Sequence, residues 1–215
     1  MNVFVTGGTG YMGRRLIPRL VERGHEVRAL ARPSSETRLP AGCTPVWGDA
    51  LDAGSYSAQV QPAKAFVHLV GVAHPSPAKA EQFRSVDLAS AHAATTAAVR
   101  GGAHHFVYVS VAHPAPAMKA YIRARSEGEE LVRSSGLNAT ILRPWYVLGP
   151  GHRWPVVLQP FYWLAERYPG TRESARRLGL VTIAQMLAAL VQAVENPANG
   201  IRIVEVPQIR ATLQS

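Results

Sequence analysis

The amino-acid sequence predicts a doubly wound α/β domain built on a parallel sheet. Short apolar runs alternate with segments of helical period, no hairpin signal joins consecutive runs, and a cluster of glycines follows the first run. Strands that are not joined by hairpins need crossovers, and right-handed crossovers make them parallel. The chain has 215 residues, 47% hydrophobic and 17% charged. That is enough apolar side chain for one sizeable core, and too much for a disordered chain.

Asn2 to Thr6 reads as a buried strand. Met12, Leu16 and Leu20, with Ile17 and Val21, then repeat at helical spacing, and Gly24 is placed to end that helix. Glu26 to Ala31, Thr44 to Trp47 and Ala65 to Val70 read as the next three strands. A long alanine-rich helix is expected over Glu81 to Arg100, stopping at Gly101-Gly102. His105 to Ser110 is a fifth strand, Ala120 to Ser134 a helix closed by Gly136, and Ala139 to Leu142 a sixth strand. Beyond Pro144, prolines at 150, 155, 160 and 169 punctuate a segment rich in Trp and Tyr. Residues 145–180 are therefore expected to form a small substrate-side cap on a single domain spanning 1–215. Ile183, Met186, Leu187, Leu190, Val191 and Val194 form one helical stripe, and Thr182 with Gln185 matches a capping box. Arg202 to Val206 reads as a closing strand.

Several function classes drop out. No run of 18 purely apolar residues occurs, so no membrane span is expected. The lone Cys43 has no internal disulfide partner, and Met1-Asn2-Val3-Phe4-Val5 lacks the pattern of a secretory leader. Both features suit a cytoplasmic protein. The net charge of +9 is spread along the chain, and its densest group, Arg167, Arg172, Arg176 and Arg177, reads as a solvated face. Nucleic acid is accordingly not an expected partner, while oligomerisation is left open. His68, His74, His92, His104 and His105 share no ligand spacing with carboxylates, so no metal is expected.

Thr6-Gly7-Gly8-Thr9-Gly10-Tyr11-Met12-Gly13 lies between the first strand and the first helix. Glycines at 7, 10 and 13 allow a tight turn, close backbone approach to a pyrophosphate, and close helix-on-strand packing. The helix amino end adds unpaired N–H groups and a partial positive charge. Gly7, Thr9, Gly10, Tyr11, Met12 and Gly13 are thus expected to hold a dinucleotide. At the end of the second strand, where NAD-binding chains place Asp or Glu for the ribose 2′-hydroxyl, this chain reads Arg32-Pro33-Ser34-Ser35. A guanidinium grips a 2′-phosphate that a carboxylate would repel, so NADP(H) is expected over NAD(H), with Arg32 and Ser34 as contacts. Asp49 and Ala50 follow the third strand, where Asp49 serves either the adenine amino group or a helix cap. Gly71, after the fourth strand, either lets backbone approach the adenosine ribose or is a turn glycine.

The segments TGGTGYMG at 6–13, HEVRALAR at 25–32, GDALD at 48–52, HFVYVS at 105–110, YIRARSEGEEL at 121–131 and ILRPWYVLGPG at 141–151 resemble the extended or atypical branch of the short-chain dehydrogenase/reductase superfamily. The resemblance covers about 150 residues and implies a Rossmann fold, whose chemistry rests on a Ser/Thr and a Tyr-x-x-x-Lys pair. Tyr121 takes the tyrosine position, and Arg125 stands where the family has lysine. An arginine can still bond ribose hydroxyls, but it stays charged and relays no proton. The usual serine positions hold Val111 and Ala112, leaving Ser110 or a substitute such as His113. The resemblance also implies that Pro144 and Val147 approach the nicotinamide, beside a pocket lined by Trp145, Tyr146, His152 and Trp154.

Two functions follow as expectations. One is an NADP(H)-dependent oxidoreductase, or an epimerase/dehydratase relative, acting on a small carbonyl or alcohol. The other is a non-catalytic NADP(H)-binding sensor, regulator or assembly-type protein with a degraded active site.

Overall fold

The computed structural model describes residues 1–115, 117–150 and 177–213. Among these, a seven-stranded all-parallel sheet runs in the order β3-β2-β1-β4-β5-β6-β9. Its strands are β1 (Asn2–Thr6), β2 (Glu26–Ala31), β3 (Cys43–Trp47), β4 (Ala65–His68), β5 (His105–Val109), β6 (Ala139–Arg143) and β9 (Ile201–Glu205). The order reverses between β1 and β4, the switch point at which ligands of this fold class bind beyond the strand carboxyl ends. The helices are α1 (Gly13–Glu22), α2 (Ala80–Gln82), α3 (Ala89–Arg100), α4 (Lys119–Ser134), α5 (Ile183–Glu195) and α6 (Val206–Ala211).

Side chains of successive strand residues point to opposite faces, so each central strand feeds two cores. On one face Val3, Val5, Val67, Val107 and Leu142 pack with Leu16 and Leu20 of α1 and Met186 and Leu190 of α5. On the other, Phe4, Phe66 and Phe106 are register partners whose rings lie 5.1 and 5.2 Å apart, covered by the alanines of α3. The next layer of this second face, one step toward the carboxyl ends, is polar: Thr6, His68 and Tyr108 are register partners.

The expected strands and helices are present, and beyond shifts of one residue at their ends there are four differences, the first that Val206, expected in the closing strand, instead opens α6. β4 ends at His68 rather than Val70, and the Leu69–Val70 backbone beyond it passes close against Gly7, where an added Cβ would lie 2.8 Å from the Leu69 carbonyl carbon. The long alanine-rich helix is divided: α2 passes through a π-helical turn, Phe83–Leu88, before α3. Tyr146–Leu148 (β7) and Leu180–Thr182 (β8), not expected as strands, pair in parallel as a separate two-stranded sheet. The intervening residues 151–176, with His152, Trp154 and most of the proposed cap, lie outside the described residues. The capping box forms as expected: Gln185 N–H donates to Thr182 Oγ1 at 3.2 Å, and Thr182 N–H to Gln185 Oε1 at 2.9 Å. No described helix is long and apolar enough to cross a membrane.

Candidate functional site

The glycine loop sits at the switch point. Gly7 leaves β1 with φ +77°, and a Cβ there would lie 2.8 Å from the Leu69 carbonyl carbon and 3.0 Å from Val70 N. At Gly13 an added Cβ would overlap the Gly7 carbonyl oxygen and stand 2.6 Å from Gly8 Cα. Backbone, not flexible side chain, occupies both spaces, so the loop has no slack for larger residues. Gly10 is exposed at the crown, its N–H bonded to Gly7 O at 3.0 Å. Met12 caps α1 without a side-chain hydrogen bond, and the first turn carries no acid. The helix therefore opens toward the loop with positive potential and no competing carboxylate. Tyr11 lies under the Arg15 guanidinium, 4.1 Å from ring centroid to Cζ. These features fit a pyrophosphate.

Beyond β2, Arg32 is exposed and begins the 3₁₀ turn Pro33–Arg38. Its carbonyl accepts from Ser35 N at 2.8 Å, and Arg38 donates to Ser35 Oγ at 2.6 Å. Leu39, just past the turn, leans on Gly8, where an added Cβ would meet its Cδ2 at 3.3 Å. Arg38 is thus a second guanidinium on the same turn, too far past the strand end for the sequence pattern to mark it. Ser34 is exposed and Ser35 buried. Asp49, also exposed, accepts from Leu51 N at 3.0 Å through Oδ1, the local turn bond of a capping aspartate. Ala50 beside it is half-buried.

On the other side of the switch point, α4 carries Tyr121 and Arg125 one turn apart. Tyr121 is half-buried against Phe83, with ring centroids 5.0 Å apart. Arg125 differs from the expectation of a ribose-bonding residue. Its guanidinium is buried, pairs with Asp87 Oδ1 at 2.6 Å, donates to Val109 O at 2.9 Å and lies 5.3 Å from the Tyr121 ring centre. Gly71 passes directly over it: a Cβ there would overlap Arg125 Nη2 and stand 3.1 Å from Asp87 Oδ1. Burial raises the Asp87 carboxyl while Arg125 and the Val72 N–H hold it down, leaving it somewhat raised. Beneath the pair, burial pushes the Tyr108 phenol up to about 12 and, with Arg125, drives the His68 imidazole down to about 3. Neutral His68 bonds Thr6 Oγ1 at 2.8 Å.

Ser110 is buried and donates its hydroxyl to Glu129 Oε1 at 2.6 Å. Glu129 also holds Arg143 through both carboxylate oxygens and takes Arg133 at 3.3 Å, with His113 Nε2 at 3.5 Å. Burial alone would raise the Glu129 carboxyl, but the bonds from Arg143 and Ser110 outweigh it and hold it below the usual carboxylate range. Sequence reasoning missed this knot, although Glu129 follows Arg125 by one helical turn on the same buried face. Pro144 is buried at the end of β6, its carbonyl accepting from Ala112 N at 3.0 Å. Trp145 and Val147, partly buried, pack against the α1–α5 core, and Tyr146 is half-buried beside them.

Residues 7–158 match the family model described as NAD(P)H-binding. Ceramide reductase of Caulobacter vibrioides is 28% identical over 97% of this chain, and the chain spans 65% of that enzyme's length. A 3-diazoavenalumate denitrifying reductase of a Streptomyces species is 30% identical over 93% of this chain and 74% of its own length. Among solved structures, the Bordetella bronchiseptica enzyme WbmH in complex with NAD⁺ superposes with a TM-score of 0.69. It is 23% identical over 95% of this chain and 75% of its own, a likeness of fold.

Proposed function

The chain belongs to the NAD(P)H-binding family, and on that premise we propose an NADP(H)-dependent oxidoreductase of the extended short-chain dehydrogenase/reductase type that reduces a small carbonyl substrate. One observation carries the proposal: at the switch point of the sheet β1 runs into a glycine loop in which backbone occupies the space that side chains at Gly7 and Gly13 would need, ahead of a helix with no acid in its first turn. The reductases among its relatives support the direction of the reaction.

Gly7, Thr9, Tyr11, Met12 and Gly13 would hold the diphosphate on backbone N–H groups, and Gly10, with no side chain, would let it approach. Arg32, with Ser34 beside it, would bind the 2′-phosphate by charge-assisted bonds. Asp49, Ala50 and Gly71 would border the adenosine, and Pro144 and Val147 the nicotinamide. A dinucleotide bound there would supply a hydride to the substrate's carbonyl carbon. Tyr121 gives its phenolic proton to the substrate oxygen. Arg125 contributes positive charge from beneath the tyrosine while its own donors remain on Asp87 and Val109. Trp145 and Tyr146 would line the substrate side. The unpaired Cys43 suits a cytoplasmic location.

A non-catalytic sensor is the second reading, favoured by Ser110 donating to Glu129 and Arg125 being engaged within the protein. Turnover distinguishes them. NADPH absorbance is followed with a panel of aldehydes, ketones and quinones, and Tyr121→Phe is expected to lower any turnover by roughly a hundredfold or more. Binding of NADPH without turnover, together with no effect of Tyr121→Phe, would support the sensor.

A further inference from the structure

We propose that the π-helical turn Phe83–Leu88 is a positioning device for Tyr121, and that Asp87 and Phe83 are its working residues. The turn touches α4 at two places one helical turn apart. Phe83 packs its ring on Tyr121, centroids 5.0 Å apart, while Asp87 pairs with Arg125 at 2.6 Å. Residues i and i+4 of one segment thus meet residues i and i+4 of another, so α4 can neither rotate nor slide at Tyr121 without breaking one of the contacts. Phe83, Asp87 and Arg125 are all buried.

The same turn fixes the strand ends below. Asp87 Oδ2 accepts from Val72 N at 3.1 Å, and Arg125 passes the link on to Val109 O at 2.9 Å. One ion pair therefore ties the chain leaving β4, the end of β5 and the helix carrying the tyrosine. A π-helical turn is rare and occurs often at functional sites. Here it serves to bring Phe83 and Asp87 to α4 together. Asp87 and Phe83 act through Tyr121 and Arg125, so both are positioning residues.

The inference rests on the reading of Tyr121 as the acid, and the test separates the two. The protein is labelled with 3-fluorotyrosine, the Tyr121 line in the ¹⁹F spectrum is assigned by its loss in Tyr121→Phe, and NADPH affinity is measured alongside. Asp87→Asn keeps an acceptor for Val72 N–H but loses the ion pair, and Phe83→Leu removes the ring contact. Each is expected to shift or broaden the Tyr121 line and to lower turnover tenfold or more, an effect of the size that small misplacements produce, with NADPH affinity unchanged within about threefold. Combined with Tyr121→Phe, neither is expected to lower the residual rate further, because no phenol remains to be positioned. A Tyr121 line unmoved by Phe83→Leu and by any folded Asp87→Asn overturns the inference. So does an equal rate loss with and without the tyrosine hydroxyl. If Asp87→Asn does not fold, Phe83→Leu alone decides. If Tyr121→Phe leaves turnover intact while the line still moves in both variants, the positioning stands and the acid assignment falls.

Discussion

Two arginines beside the cleft are used in opposite ways. Arg32 is exposed just beyond a strand end, whereas Arg125 is buried against Asp87. A charge-assisted bond contributes about 1.5–3 kcal/mol, so Arg32→Ala is expected to weaken NADPH binding by roughly tenfold to a hundredfold and to leave NADH binding little changed. Titrating both nucleotides by fluorescence checks this. Arg125→Met leaves Asp87 buried without its partner, and breaking such a pair costs about 3–5 kcal/mol. Urea unfolding of the variant should show a loss of that size. Arg32 could be read from its place after an apolar run. The burial of Arg125 could not, because its partner Asp87 is distant in sequence and becomes a neighbour only when α4 packs on the turn before α3.

The elements that hold the cleft were written plainly where periodicity and punctuation agree. β1, the glycine loop and α1 follow from an apolar run, three spaced glycines and a helical stripe, and Thr182 with Gln185 marked the start of α5 without ambiguity. Removing that cap hydroxyl in Thr182→Ala should destabilise the protein by about 1 kcal/mol, read as a lower urea midpoint at unchanged slope. Gly13→Ala has no room, since its Cβ would overlap the Gly7 carbonyl; NADPH binding is expected to be lost. The π-helical turn and the β7–β8 pair left no legible pattern. A π-helical turn keeps an apolar face much like that of an α-helix, and a three-residue strand is too short to display alternation. Ser110 and Glu129 were likewise hidden, because a buried carboxylate shared by Ser110 and Arg143 depends on which strand ends lie side by side.

Taken together, the molecule stacks a polar layer on an aromatic one beneath the cleft, and this gives it a defined response to acid. Burial holds His68 at about 3 and His105 at about 4, against an ordinary value of 6.5. Both imidazoles therefore bind fewer protons folded than unfolded as pH falls below about 6.5. Their contribution to stability is complete above that value and declines by about 1.4 kcal/mol per pH unit for each histidine down to about pH 4. His68→Gln should flatten that decline in urea unfolding measured between pH 7 and 4. The glycine loop follows directly on Thr6 of this layer, and cofactor choice is the property on which the proposed role of Arg32 bears most directly. Calorimetric titration of the purified protein with NADPH and with NADH tests it: NADPH should bind at least tenfold more tightly, with the difference abolished in Arg32→Ala. Failure of either nucleotide to bind at millimolar concentration, or equal affinity for both in the unaltered protein, would contradict the account.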